Sequence, residues 1–170
     1  VMVEFVSTNP TGPLHVGHGR GAAYGDALAR VLSAAGYTTH SEYYINDAGR
    51  QMDILALSVW LRYLEYCGQL VSFPGNAYQG GYIKDVAQLL FESHADRFLM
   101  DSASLFLDLS DDPERSIDQL ISRCKESLGE FGYRVVFDAA CNSQVEDIKK
   151  DLAEFGVRFD NWFSERSLVD

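Results

Sequence analysis

The chain has 170 residues, 46% of them hydrophobic and 12% aromatic, and carries a formal net charge of −11 at pH 7. This composition excludes a disordered tail and supplies enough apolar surface for a sizeable core; no stretch is long enough to cross a bilayer and no basic-plus-apolar leader opens the chain, so a cytoplasmic location without a membrane partner is expected. The acidic balance argues against binding dominated by nucleic-acid phosphates, and Cys67, Cys124 and Cys141, widely spaced and without C-x-x-C pairing, argue against a disulfide scaffold or a zinc site.

In chain order, Val1-Met2-Val3-Glu4-Phe5-Val6 is short, β-branched and apolar except at Glu4, the pattern of a strand buried in a parallel sheet. Ser7 to His18 follows, reading S-T-N-P-T-G-P-L-H-V-G-H: Asn9-Pro10 and Gly12-Pro13 force turns, and His15, Gly17 and His18 open a helix. Tyr24, Ala27, Leu28, Val31, Leu32 and Ala35 recur at helical spacing with Asp26, Arg30 and Ser33 opposite, which predicts a helix packed through that stripe and stopped at Gly36. Thr38 to Ile45 reads as a second strand, with Tyr43 and Tyr44 on opposite faces, one for the core and one free to approach a site. Asn46, Asp47 and Gln51, at the head of the next helix, fit either a cap-and-turn group or the lining of an active site.

Met52, Leu55, Ala56, Val59, Trp60, Tyr63, Leu64 and Cys67 form a clean apolar stripe, and Val71 to Gln79, with Phe73-Pro74-Gly75-Asn76, reads as a loop marking a boundary. Beyond it, helical spacing recurs in Ile83, Val86, Ala87, Leu90 and Phe91, in Ile117, Leu120, Ile121, Cys124, Leu128 and Phe131, and in Val145, Ile148, Leu152 and Phe155. Tyr133, Val136, Phe137, Ala140 and Cys141 share one helix face, which favours helix over strand for Val135-Val136-Phe137, whereas Arg158 to Ser164 is strand-like. Asp108, Asp111, Asp112, Glu114 and Asp118 read as a solvated loop and helix start, with the segment around Pro113 the best candidate for flexibility. His40 and His94 are isolated and read as surface or satisfied core side chains.

The start of a helix directly after a strand suits an anion, because its unpaired N–H groups and dipole favour negative charge and two imidazoles add donors. Gly17-x-Gly19-x-Gly21 is not a dinucleotide fingerprint and no Walker lysine follows a glycine loop. By themselves His15 and His18 fit a metal pair, a nucleotide site or coincidence. Glu4 is costly to bury unless a cation meets it; a forked guanidinium would do so through two parallel hydrogen bonds, and the alternatives are a pair with Arg20 or exposure to water.

E-F-V-S-T-N-P-T-G-P-L-H-V-G-H-G-R-G-A, followed by Glu42-Tyr43-Tyr44-Ile45-Asn46-Asp47-Ala48-Gly49-Arg50-Gln51, resembles the catalytic domain of bacterial-type arginyl-tRNA synthetases. The likeness continues in Tyr78-Gln79-Gly80-Gly81-Tyr82-Ile83, in Asp147 to Leu152 and in Phe159 to Leu168, and is weakest between Ser93 and Asn142. The resemblance implies an α/β fold: the first half of a Rossmann-like (HUP-type) nucleotide-binding domain over residues 1–70, then a partial, largely helical connective insertion over residues 71–170. His15-Val16-Gly17-His18 takes the place of the H-I-G-H signature of class I aminoacyl-tRNA synthetases. His15 and His18 would then be catalytic, stabilising ATP phosphates, with Thr11, Gly12 and Gly17 completing the ATP site and Gly17 against the adenine. Glu4, Ser7 and Asn9 would bind arginine, and Tyr44, Asn46, Asp47 and Gln51 would line the site.

The implied reaction is ATP-dependent activation of L-arginine to arginyl-adenylate and its transfer to tRNA(Arg). Mg2+ would arrive with ATP, held by phosphates and water, and no tightly bound metal is expected. The family's lysine loop, the rest of its arginine pocket and its tRNA-binding domains have no counterpart here, so the chain reads as an excised internal piece, inactive alone and able to self-associate through an unfinished sheet edge. Most tRNA contact would come from absent sequence or from patches around Arg20 and Lys149-Lys150. The competing readings are a non-catalytic nucleotide- or tRNA-associated module that keeps the histidines, and a two-histidine metal hydrolase, which would need a further ligand near the pair.

Overall fold

The computed structural model describes residues 1–168. The chain divides into two compact units, Val1–Ala48 with Gln144–Asp170, and Gly49–Ser143. The sequence reading places its boundary at 70/71 instead. The difference arises because the helix after residue 49 packs on the helix after residue 80, while the last residues return to add a strand to the first unit.

The first unit is built on a three-stranded parallel sheet in the order β1 (Met2–Glu4), β2 (His40–Ile45), β3 (Asn161–Ser164). Parallel neighbours need a crossover, and helix α1 (Val16–Ala34) supplies the one between β1 and β2. The register sets Glu4 beside Glu42, Tyr43 beside Trp162 and Tyr44 beside Phe163. Aromatic rings fill the sheet's inner side: Tyr43 stacks on Trp162 with centroids 4.3 Å apart, and Phe5 meets Phe159 at 4.5 Å. Val145, Ile148 and Leu152, on the final turns of the long helix Pro113–Glu154, are buried in the same unit.

Two expectations for this unit fail. β1 is not sealed on both faces, since Met2 is 62% exposed and Glu4 is exposed, so the cost of burying a carboxylate does not arise at Glu4 in this chain. Helix α1 turns a different face inward: Ala22, Gly25 and Ala29 are buried, whereas Tyr24 is 73% and Val31 65% exposed, with Ala27, Leu28 and Ala35 exposed as well. The bulky side of the contact is provided by the sheet. A Cβ on Gly25 would lie 2.2 Å from Phe5 Cγ, so the helix can approach only through small residues.

In the second unit, α2 (Arg50–Tyr66) is buried on nearly every side, with Met52, Leu55, Ala56, Val59, Trp60, Tyr63 and Leu64 in the core as the stripe predicts. It packs against α3 (Gly81–His94), whose Ile83, Val86, Ala87 and Leu90 are buried. Two of its buried aromatic side chains have their polar atoms met: Trp60 Nε1 donates to Phe98 O at 3.0 Å, and the Tyr63 hydroxyl, whose pKa burial raises to about 12, donates to Ala95 O and accepts from Phe98 N. After the short helix α4 (Ser102–Leu105) comes α5 (Pro113–Glu154), broken at Gly129, where φ is 62°. The break ends the predicted stripe, leaving Phe131 exposed, while Val136, Ala140 and Cys141 beyond it are buried helical residues.

Asp53 of α2 spans that break, accepting from Lys125 Nζ at 2.8 Å before it and from the Tyr133 hydroxyl after it. Burial and the Asp53 carboxylate push the Tyr133 pKa up. The acidic segment before α5 is tied down at several points: Asp112 Oδ1 accepts from Arg115 N at 2.9 Å, and Arg50 pairs with Glu114 and Asp118 at 2.8 and 2.7 Å. Cys67 is partly exposed, Cys124 and Cys141 are buried, and all three are free thiols. No helix among the described residues is long and apolar enough to cross a membrane.

Candidate active site

The loop between β1 and α1 carries Ser7, Asn9, Thr11, Gly12 and His15 of the residues singled out in the sequence, and its conformation is strained. Val6 and Ser7 adopt φ of 65° and 41°, a region that costs L-residues about 1–3 kcal/mol each and is least tolerable for a β-branched side chain. Strand β2 compensates. The Tyr43 hydroxyl accepts from Thr8 N and donates to Thr8 O, both at 3.1 Å, and Tyr44 N donates to Ser7 Oγ at 3.1 Å. Both backbone polar groups of one residue are thereby satisfied by a single hydroxyl, and burial pushes the pKa of Tyr43 well above the ordinary tyrosine range.

The loop delivers the histidine pair to the first turn of α1. His15 is the N-cap: its Nδ1 accepts from Gly17 N at 3.1 Å, while His18 Nδ1 accepts from His15 N at 3.2 Å, forming a reciprocal capping box. The two rings stack with centroids 3.7 Å apart and a tilt of 20°. Gly17 is required by this packing, since a Cβ there would lie 2.9 Å from His15 Cε1. His15 is exposed and His18 half-buried, with His18 Nε2 3.3 Å from Thr8 Oγ1. Desolvation, and then the neighbouring His15, lower the pKa of His18. The pair thus forms an accessible cluster of hydrogen-bond donors at a helix N-terminus. Among the described residues there is no group of three or more His, Cys, Asp or Glu side chains placed to hold a metal ion.

A second feature lies at the carboxyl ends of the strands. Glu4 and Tyr44 are on the same face of the sheet, because Glu4 pairs with Glu42 and Tyr44 is two residues further along β2. The Tyr44 phenol is raised in pKa by desolvation, by the charge and hydrogen bond of Glu165, and by the charges of Asp47 and Glu4. The charges of three carboxylates therefore act on one phenol. Glu165, in the short 3-10 helix Glu165–Leu168 after β3, is a member that sequence reasoning missed; its only signal is its place in the Phe159 to Leu168 motif.

Asp47 is buried, accepting from Ser164 Oγ at 2.6 Å and from Arg166 N at 3.0 Å. It does not cap α2, whose N-cap is Gly49 at φ 84° without a side-chain bond, so the capping alternative fails for this residue. Ser7, Asn9, Thr11 and Gly12 lie on the loop and are half-buried, as is Asn46 just past β2. Gln51 falls on α2 in the helical unit and is exposed.

A strand, a strained turn and a helix opened by stacked imidazoles thus meet at the carboxyl edge of a parallel sheet. The family model "tRNA synthetases class I (R), catalytic domain" matches residues 1–84. Along its whole length the chain is similar to arginine–tRNA ligases. The relative from Hydrogenovibrio crunogenus is 54% identical over 100% of this chain and 31% of its own length, and that from Halorhodospira halophila is 58% identical over 100% and 30%. A crystal structure of an arginyl-tRNA synthetase from Campylobacter jejuni superposes with a TM-score of 0.73 at 34% identity, covering 98% of this chain and 31% of that one. The chain thus spans about a third of the length of the relatives it matches.

Proposed function

We propose that this chain forms the first part of the catalytic domain of an arginine–tRNA ligase, which joins L-arginine to ATP and passes the arginine to tRNA(Arg). The observation that carries the reading is the stacked His15–His18 pair at the N-terminus of α1, held open to solvent by the Tyr43-clamped loop. In this reading the arginine carboxylate attacks the α-phosphate in line, forming the acyl–phosphate bond as the bond to the β-phosphate breaks and pyrophosphate leaves. His15 and His18 donate to phosphate oxygens, most strongly as charge builds there in the transition state.

Thr11, Gly12 and Gly17 complete the nucleotide side, and Ser7 and Asn9 the amino-acid side. Glu4, with Asp47 and Glu165, whose charges act together with its own on Tyr44, supplies negative charge suited to a guanidinium. Mg2+ accompanies ATP through the phosphates and water, since its octahedral shell needs few protein ligands. The helical unit is read as part of the connective insertion. Its net acidity and that of the whole chain leave tRNA contact mainly to the rest of the polypeptide, with Arg20 and Lys149-Lys150 as the basic patches here.

The test is pyrophosphate exchange by the full-length enzyme, with arginine and tRNA present. Replacing both histidines, His15→Ala with His18→Ala, is expected to slow exchange by roughly 10²-fold or more. An unchanged rate would remove the phosphate role from the pair, whereas absence of exchange in the unsubstituted full-length protein would favour a module that binds without ligating.

A further inference from the structure

The two histidines have their ring nitrogens assigned to different tasks. A backbone N–H is an obligatory donor, so a ring nitrogen that faces one must offer a lone pair. Gly17 N faces His15 Nδ1 at 3.1 Å, and His15 N faces His18 Nδ1 at 3.2 Å. In both rings Nδ1 is therefore the acceptor, which leaves the proton of the neutral ring on Nε2. Protonating either ring would turn an N–H donor toward an N–H donor and open one side of the capping box. Stacking adds a second reason, since two imidazolium ions with centroids 3.7 Å apart would repel. The group facing His18 from the loop is the neutral Thr8 hydroxyl, and desolvation, followed by the influence of the neighbouring His15, depresses protonation of His18.

We propose that His15 and His18 work as neutral imidazoles, each locked in the Nε2–H tautomer by the backbone N–H its Nδ1 accepts. Attraction for an anion then comes from two aligned Nε2–H donors and the helix dipole, with no imidazolium charge involved. This deepens the phosphate reading and rests on it for the identity of the anion, but the tautomer itself is independent of any nucleotide.

Long-range 1H–15N correlation spectra of the 170-residue chain near neutral pH, without nucleotide, are expected to place both histidines in the Nε2–H form. A spectrum with either ring protonated on Nδ1, whether as the other tautomer or as imidazolium, would overturn the proposal. A pair of substitutions reads the same division of labour. His15→Asn keeps an acceptor near Nδ1 but has nothing at Nε2, and is expected to leave the melting midpoint close to that of the parent. His15→Gln reaches the Nε2 position but leaves the cap unmade, and is expected to lower the midpoint by about 2–4 °C.

In the full-length enzyme, probed with ATP itself, the order reverses: Asn is expected to raise the KM for ATP several-fold more than Gln. Equal melting losses for Asn and Gln would count against the cap and hence the locked tautomer. Nε2–H rings whose replacement leaves the KM for ATP untouched would uphold the tautomer and refute the phosphate reading instead.

Discussion

At the scale of single residues, Tyr43 is the one whose role was hardest to read. Its place in an apolar strand marks it as core, and it is buried and stacked on Trp162 as that pattern implies. Its hydroxyl, however, grips the peptide of Thr8, 35 positions earlier, a partner no local pattern reveals. Tyr43→Phe keeps the ring and leaves two peptide groups of the loop unpaired, an effect of about 1–3 kcal/mol where water does not replace the hydroxyl. Because Val6 and Ser7 are held in a conformation they resist, the loop is expected to relax. In the full-length enzyme the KM for ATP should rise by roughly 10-fold, the factor that 1.4 kcal/mol represents. An unchanged KM would mean that the loop holds its shape without this clamp. Asp47 teaches the same lesson: its neighbours suggested a helix cap, whereas its carboxylate ties β2 to the segment after β3, more than a hundred residues away.

At the scale of elements, α1 separates two kinds of signal. The spacing of Tyr24, Leu28 and Val31 correctly indicates a helix and wrongly indicates its inner face, because periodicity measures where apolar bulk lies and not where space is available. The space is decided by Phe5, which occupies what a side chain on Gly25 would need. Two glycines of one helix should therefore respond oppositely to the same change. Gly21→Ala meets nothing within 4 Å and is expected to stabilise by about 0.5–1 kcal/mol through helix propensity. Gly25→Ala forces Phe5 aside and is expected to cost about 1–3 kcal/mol. Chemical denaturation of the two variants checks this, and a stabilising Gly25→Ala would show that α1 does not sit on Phe5 as described. In α2 and α3 the stripes read correctly because those helices bury large residues against each other. The stripe of α5 fails after Leu128 because Gly129 leaves helical geometry and resets the phase.

At the scale of the whole molecule, the strand–turn–helix setting of the histidine pair is a local matter and the return of the chain to the sheet is not. S-T-N-P-T-G-P-L-H-V-G-H contains the turn formers, the cap and the imidazoles within a dozen residues, so local rules suffice to place it between a strand and a helix. The return of the last residues as β3, with Glu165 beyond it, is a long-range pairing that depends on everything between β2 and β3. The same return adds Glu165 to Glu4 and Asp47, whose charges also act on Tyr44.

That set of charges bears on the central claim, that the sheet presents negative charge for a guanidinium beside donors for phosphate. It is tested most directly by amino-acid-dependent pyrophosphate exchange in the full-length enzyme, comparing arginine with its neutral analogue citrulline before and after Glu4→Gln. The account predicts that the wild type strongly prefers arginine and that the substitution erodes this preference by roughly 10–100-fold, the worth of a charged hydrogen bond. An undiminished preference for arginine in the Glu4→Gln enzyme would contradict it.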